Sequence, residues 1–177
     1  MWWSGKGPLH VNRPPRRQGE VRLLADIGLR AWEQAVSGLA DAAKMRRLAE
    51  QAFDTFLARH WHIVLLIEGG GCIRGWAARE DLDETISDLW IDPESQGRGL
   101  GAFLLADIER RIAADGFAAA IARTHAQNAS AVAFFQRHGY RVNWLSTAYS
   151  QKLDRDVEFI GLSKPFISDS IEELPQD

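Results

Sequence analysis

The sequence predicts a mixed α/β (α+β) domain: a mostly antiparallel central sheet of about seven strands flanked by four helices, in the order β-α-α-β-β-β-α-β-α-β-β. Three observations predict it. Two long stretches of helical period come early in the chain. The period then drops to that of strands, with a glycine turn between two of them. After a second glycine-rich segment, helix and strand alternate.

Leu9 to Asn12 reads as a short first strand, stopped by Pro14-Pro15, which lack amide donors. A helix is expected from Gln18 to Val36, with its apolar face at positions 21, 24, 28, 31, 32 and 35, and a second from Ala40 to Arg59, with positions 45, 48, 49, 52, 53, 56 and 57. Ser37-Gly38 separates them. Ile63 to Ile67 is a β-rich run, Gly69-Gly70-Gly71 a turn, and Cys72 to Arg79 the returning strand of a hairpin. Glu84 to Ile91 is a third strand of this group, ended by Asp92-Pro93. A helix from Arg98 to Ala114 presents apolar residues at 100, 103, 104, 108 and 112. Phe117 to Arg123 is a strand, and Ala129 to His138 a helix closed by Gly139. Tyr140 to Ser150 and Val157 to Leu162 are the last two strands. The resulting division is an extension at 1–8, a domain at 9–166 and an acidic tail at 167–177.

The 177 residues suit one domain with a core that needs neither disulfides nor metals. A net charge of −3 gives no reason to expect nucleic acid or an anionic membrane as partner. The cluster Arg13-Pro14-Pro15-Arg16-Arg17 reads as a solvated linker and helix start. Cys72, the one cysteine, is expected to be buried and inert, and no Cys/His spacing suggests a metal. The absence of an apolar leader and of any transmembrane-length run, with no disulfide, leads to a cytoplasmic expectation.

The most informative segment runs Ile91-Asp92-Pro93-Glu94-Ser95-Gln96-Gly97-Arg98-Gly99-Leu100-Gly101-Ala102. A strand stops at a proline and glycines lead straight into a helix. Glycines allow close backbone approach and positive φ, and the free N–H groups of a helix start face an anion, helped by the helix dipole. Arg98 adds charge for a phosphate. A P-loop would need Gly-Lys-Ser/Thr, which is absent. Gly97-x-Gly99-x-x-Ala102 satisfies the loose dinucleotide fingerprint, but Ala118 to Ala122 stands where that fingerprint expects an acidic residue, and the preceding strands form a hairpin.

Gln96-Gly97-Arg98-Gly99-Leu100-Gly101 resembles the Gln/Arg-x-x-Gly-x-Gly/Ala signature of the GNAT (Gcn5-related) N-acetyltransferase superfamily. Asn128 to Tyr140, which reads Asn-Ala-Ser-Ala-Val-Ala-Phe-Phe-Gln-Arg-His-Gly-Tyr, resembles the family's Asn-x-x-Ala-x-x-Leu/Phe-Tyr-x-x-x-Gly-Phe element. Ala31 to Leu39 is similar, more loosely, to the first helix of many bacterial members. The resemblance implies a GNAT-like fold, acetyl-CoA as cosubstrate and no metal. The amides of Gln96, Gly97, Arg98, Gly99, Leu100, Gly101 and Ala102 would hold the pyrophosphate. Backbone of Leu89 and Ile91 would pair with the pantetheine arm as an added strand, and an N–H near Leu89 would polarise the acetyl carbonyl. Asn128 would touch the same arm or cap its helix. Phe135 departs from the pattern, because many members carry there a tyrosine that protonates the departing thiolate. With a thiol pKa of about 8.5 that acid is helpful rather than compulsory, and Tyr140, Tyr149 or water are other donors.

A lysine-like amine must lose a proton before attack. Asp88 and Glu84 are the candidate bases, placed on one face by period-2 spacing, with His125 a weaker one. Trp32, Glu33, Trp90, Trp144 and Tyr149 are candidates to line the acceptor side, where an aromatic wall with carboxylates suits a cationic amine. The expected function is therefore acetyl transfer from acetyl-CoA to a small-molecule or peptide amine by direct attack. A non-catalytic acyl-CoA-binding protein and a dinucleotide-binding oxidoreductase are the alternatives. A dimer is common among relatives.

Overall fold

The computed structural model describes residues 10–11, 18–37, 42–150 and 155–166. The extension with Trp2-Trp3, the Arg13 to Arg17 cluster and the acidic tail lie outside them. The elements in chain order are β1 (His10–Val11), α1 (Gln18–Ala35), α2 (Ala42–His60), β2 (Leu65–Gly69), β3 (Cys72–Ala78), β4 (Thr85–Ile86), β5 (Asp88–Ile91), α3 (Leu100–Ala114), β6 (Ala119–His125), α4 (Ala129–Arg137), β7 (Arg141–Ser150) and β8 (Arg155–Pro165).

The single central sheet of the sequence analysis is instead two four-stranded sheets, ordered β1-β2-β3-β5 and β4-β6-β8-β7. All pairs are antiparallel except β4 with β6. The division falls within the expected strand Glu84 to Ile91. Thr85 and Ile86 pair with Ile121 and Ala122 of β6, whereas Asp88 to Ile91 pair with Ala78 to Gly75 of β3. Ser87 is the cause. Its N–H and its hydroxyl both donate to the Ala78 carbonyl, at 3.0 and 3.1 Å, and its hydroxyl accepts from the Glu80 N–H at 3.1 Å. Ser87 and Asp88 thus both oppose Ala78, a bulge that turns the chain from one sheet to the other.

The run of apolar residues in β2 is explained by burial on both faces. Leu66, with Trp76 and Ala78 of β3, packs under α1 and α2 against Leu24, Ile27, Phe53 and Leu57. Leu65 and Ile67, with Ala77, face α3 and α4 against Leu104, Leu105, Ile108 and Phe135. Helices α1 and α2 approach closely because Gly28 leaves room for the Phe53 ring, 2.8 Å from where a Cβ would stand.

Three local expectations are corrected. Trp61–Ile63 forms a 3-10 turn that carries the chain off α2, so the strand begins at Leu65 rather than Ile63. Cys72 is exposed, because it follows directly on the turn made by Gly70 and Gly71, both at positive φ, and burial starts only at Ile73. Phe103 is exposed at 56%, and Leu105 takes its place in the core.

Candidate active site

Helix α3 starts where the glycine loop ends. Gly97 and Gly99 adopt φ of 71° and 79°, the left-handed region that favours glycine, and Gly99 is the N-cap of α3. Among the described residues, nothing lies within 4 Å of where a Cβ would stand at either glycine, so the loop surface is open. Residues 96–99 are exposed. The first-turn amides of α3 have no intrahelical acceptor by helix geometry, and they face outward with the positive end of the helix dipole. Gly101 instead serves packing, with the Phe134 ring of α4 3.3 Å from its ideal Cβ.

The loop is fastened to β5. The Asp92 N–H donates to the Arg74 carbonyl of β3 at 2.9 Å. By strand alternation the N–H and C=O groups of Leu89 and Ile91 therefore face the other edge, toward β6. The side chain of Gln96 confirms this direction, because its Nε2 donates to the Ile91 carbonyl at 3.1 Å. From α1, Arg30 pairs with buried Asp92 at 2.9 Å and anchors the strand end. Beyond Ile86 the pairing of β4 with β6 ceases, while β6 runs on beside β8 to His125↔Phe159. A gap thus opens between β5 and the second half of β6, and among the described residues no strand pairs with the edge of β5 that borders it.

A cleft of about 1620 Å³ adjoins this gap. Asp88 and Trp90 of β5 line it, as do Arg123 and His125 of β6, Asn128 and Phe159. Asp88 Oδ1 accepts from Trp90 Nε1 at 2.8 Å, which fixes the carboxylate beside the open edge. Glu84 is not in the lining. The bulge at Ser87 breaks the period-2 relation expected between Glu84 and Asp88, and the Glu84 carbonyl is taken by the Ile121 N–H at 2.9 Å. His125 lies against the Phe159 ring, centroids 4.7 Å apart, and the Arg123 guanidinium sits 4.6 Å over that ring.

Trp32, Trp90, Trp144 and Tyr149 all line the cleft, as the sequence suggests. Glu33 does not; it pairs with Arg46 at 2.6 Å. Asn128 caps α4, its Oδ1 accepting from the Ala131 N–H at 3.2 Å, while also bordering the cleft. Phe135 is in the core at 7% exposure, edge-on to Tyr140 with ring centroids 5.1 Å apart. Tyr140 is buried there too and is absent from the cleft lining. Burial, and then the nearby Glu109 carboxylate, push its phenol far above the ordinary tyrosine value.

Sequence reasoning missed the loop from Arg79 to Glu84, which supplies Glu80, Asp81 and Asp83 to the cleft. Buried Arg79 shapes it, donating to the carbonyls of Asp83 and Leu82 at 2.6 Å each and pairing with Asp115 at 2.7 Å. Leu82 accordingly takes φ of 55°. An arginine ahead of an acidic loop was the available signal. With Asp156 and Glu158 of β8 also in its lining, the cleft is rich in carboxylates. Among the described residues, no group of His, Cys, Asp and Glu is placed to hold a metal, and no helix is long and apolar enough to cross a membrane.

A strand edge bordering a gap, followed by a glycine loop that opens a helix, is the arrangement expected of the family whose motifs the sequence carries. The family comparison agrees: residues 29–140 match the acetyltransferase (GNAT) family, and the chain belongs to it. The chain is 30% identical over 138 residues to a mycothiol acetyltransferase of Mycolicibacterium gilvum (strain PYR-GCK), an alignment covering 72% of this chain and 43% of that protein. It therefore spans under half the length of this relative. Among solved structures it resembles a GCN5-related N-acetyltransferase from Rhodopseudomonas palustris (TM-score 0.75, 18% identity, covering 94% of this chain and 100% of that one). It also resembles the PaiA N-acetyltransferase of Thermoplasma acidophilum in complex with coenzyme A (TM-score 0.74, 14% identity, covering 90% and 100%). These structural likenesses concern the fold.

Proposed function

We propose that this chain transfers the acetyl group of acetyl-CoA to a primary amine by direct attack, without a covalent enzyme intermediate. The observation that carries the proposal is the free edge of β5, lying between an open glycine loop at one end and a carboxylate- and aromatic-lined cleft beside it. The amides from Gln96 to Ala102 suit a pyrophosphate. The Leu89 N–H, directed into the gap, suits the acetyl oxygen as charge develops on it. Asp88 is the better of the two candidate bases, because it borders both gap and cleft while Glu84 does not line the cleft. It would take the ammonium proton directly or through water, leaving the lone pair to attack the carbonyl carbon. Collapse of the tetrahedral adduct then expels the CoA thiolate. Tyr149, which lines the cleft, or water is the donor to that thiolate; Phe135 has no proton and Tyr140 is sealed in the core.

The dinucleotide alternative fits poorly, since β5 pairs antiparallel with β3 rather than opening a parallel βαβ unit. The non-catalytic alternative is favoured by Phe135 and by nothing else on the site. Calorimetry with CoA, together with thiol release across a panel of amines and peptides, tests the proposal. CoA binding with thiol release from at least one amine is the expected result. CoA binding with no acceptor turned over would support the non-catalytic protein, and NAD(P) binding without CoA binding would overturn the proposal.

A further inference from the structure

Trp76 of β3 and Trp90 of β5 are register partners, and their indole N–H groups are used differently. The Phe53 ring of α2 lies edge-on to both, with centroids 6.2 and 5.3 Å away and interplanar angles of 85° and 84°. Phe53 is itself buried, in the space that Gly28 of α1 leaves open. Trp76 Nε1 donates to the Leu24 carbonyl of α1 at 2.8 Å, which ties that ring to the helix layer. Trp90 Nε1 donates to a carboxylate instead, Asp88 Oδ1, also at 2.8 Å. Trp90 and Asp88 are two residues apart on one strand, on one face, and both line the cleft. Among the described residues the Asp88 carboxylate accepts no other hydrogen bond, so the indole fixes its rotation and Oδ2 is left for a proton. Any aromatic ring at this position would serve packing. The charge-assisted bond to a carboxylate needs a ring that carries an N–H.

Resting on the acetyl-transfer reading, we infer that Trp90 is a positioning residue: its indole N–H, with the ring held by Phe53, orients the Asp88 carboxylate to take the proton of the acceptor amine. A base must lie within hydrogen-bond reach of the proton it removes, and misplacement by about 1 Å costs up to about a hundredfold in rate. The packing of α1 against α2 is thereby linked to the chemistry. Gly28 seats Phe53, Phe53 holds the Trp90 ring, and that ring holds Asp88.

A double-mutant cycle on the full chain separates positioning from packing. Thiol release from acetyl-CoA, with the amine of the panel that gives the fastest release, yields kcat, and calorimetry yields CoA affinity. Both are measured for the wild type, Trp90→Phe, Asp88→Asn and the double variant. Phenylalanine keeps a ring against Phe53 but has no donor. In the wild-type background Trp90→Phe should lower kcat about tenfold with CoA affinity unchanged. In the Asp88→Asn background it should lower kcat by less than about twofold, because no base is left to position. Equal losses in the two backgrounds, or no loss in the wild type, overturn the inference. Should Trp90→Phe not fold, as shown by lost CoA binding, a benzothiophene in place of the Trp90 indole repeats the cycle, since sulfur replaces the N–H in a ring of nearly the same shape. Nitrogen-resolved NMR reads the contact without turnover. The sequence holds seven tryptophans, and the Trp90 indole signal is the one missing when that N–H is removed. It should move upfield with Asp88→Asn, as the charged acceptor is lost; a signal that stays in place overturns the inference. An undiminished kcat for Asp88→Asn would leave acetyl transfer standing and overturn the positioning role. A wild type that releases no thiol with any amine would defeat the acetyl-transfer reading, while the moved signal would leave the contact standing.

Discussion

At the scale of single residues, Gly99 is the sharpest test of the loop. Its φ of 79° is costly for a side chain, and its surroundings are empty, so a larger residue disturbs the backbone rather than the packing. Gly99→Val should cost about 1–2 kcal/mol of stability while abolishing CoA binding by calorimetry; unchanged affinity would refute the site. Asp88→Asn should lower kcat about a hundredfold or more with CoA affinity retained, and Glu84→Gln should not. Phe135→Tyr asks whether the missing acid limits the rate: the added hydroxyl should raise thiol release, and an unchanged kcat would show that the thiolate leaves unaided. The types of these residues were visible in the sequence. Their neighbours were not: Asp88 accepts from the Trp90 indole, and Glu84 falls outside the cleft lining beyond the bulge at Ser87.

At the scale of elements, the hairpin β7–β8 supplies Trp144, Tyr149, Asp156, Val157, Glu158 and Phe159 to the cleft. Trp144 crosses directly over Gly161, so that a Cβ there would fall within 3 Å of the indole. A register shift between Val142 and Trp144 sets that indole in place. Gly161→Ala should push Trp144 out and weaken acceptor binding about tenfold or more, measured as KM, with CoA affinity little changed. Equal loss at both sites would mean that β7–β8 supports the whole sheet rather than the cleft. The alternation of Tyr140 to Ser150 predicted a strand, but not that Gly161 and Trp144 form one contact.

At the scale of the whole molecule, two cores sit on either side of β2 and β3, and the second seals Tyr140 beside Glu109. Lys164 holds Glu109 through a 2.8 Å pair, so α3, α4 and β8 converge on one buried cluster. The folded protein keeps the Tyr140 proton to higher pH than the unfolded chain does. The unfolded state therefore binds fewer protons above a pH of about 10, and stability falls as pH rises through that value by up to about 1.4 kcal/mol per unit. Below that pH the contribution is fully present. Chemical denaturation at neutral and at alkaline pH should show Tyr140→Phe losing less stability on the alkaline step than the wild type; an identical loss would place the titration elsewhere.

The sequence by itself determined the helices, the hairpin at Gly70-Gly71, the glycine loop and the family motifs, because period, turn chemistry and a glycine-rich helix start are local properties of adjacent residues. Only the tertiary structure decided that one strand becomes two, that Cys72 is exposed, and that the acidic loop shaped by Arg79 shares one cleft lining with Asp156 and Glu158. These depend on which distant strand offers a partner and on the side-chain bonds that compete for it. The bonds of Ser87 to Ala78 and of Gln96 to Ile91 are both of that kind.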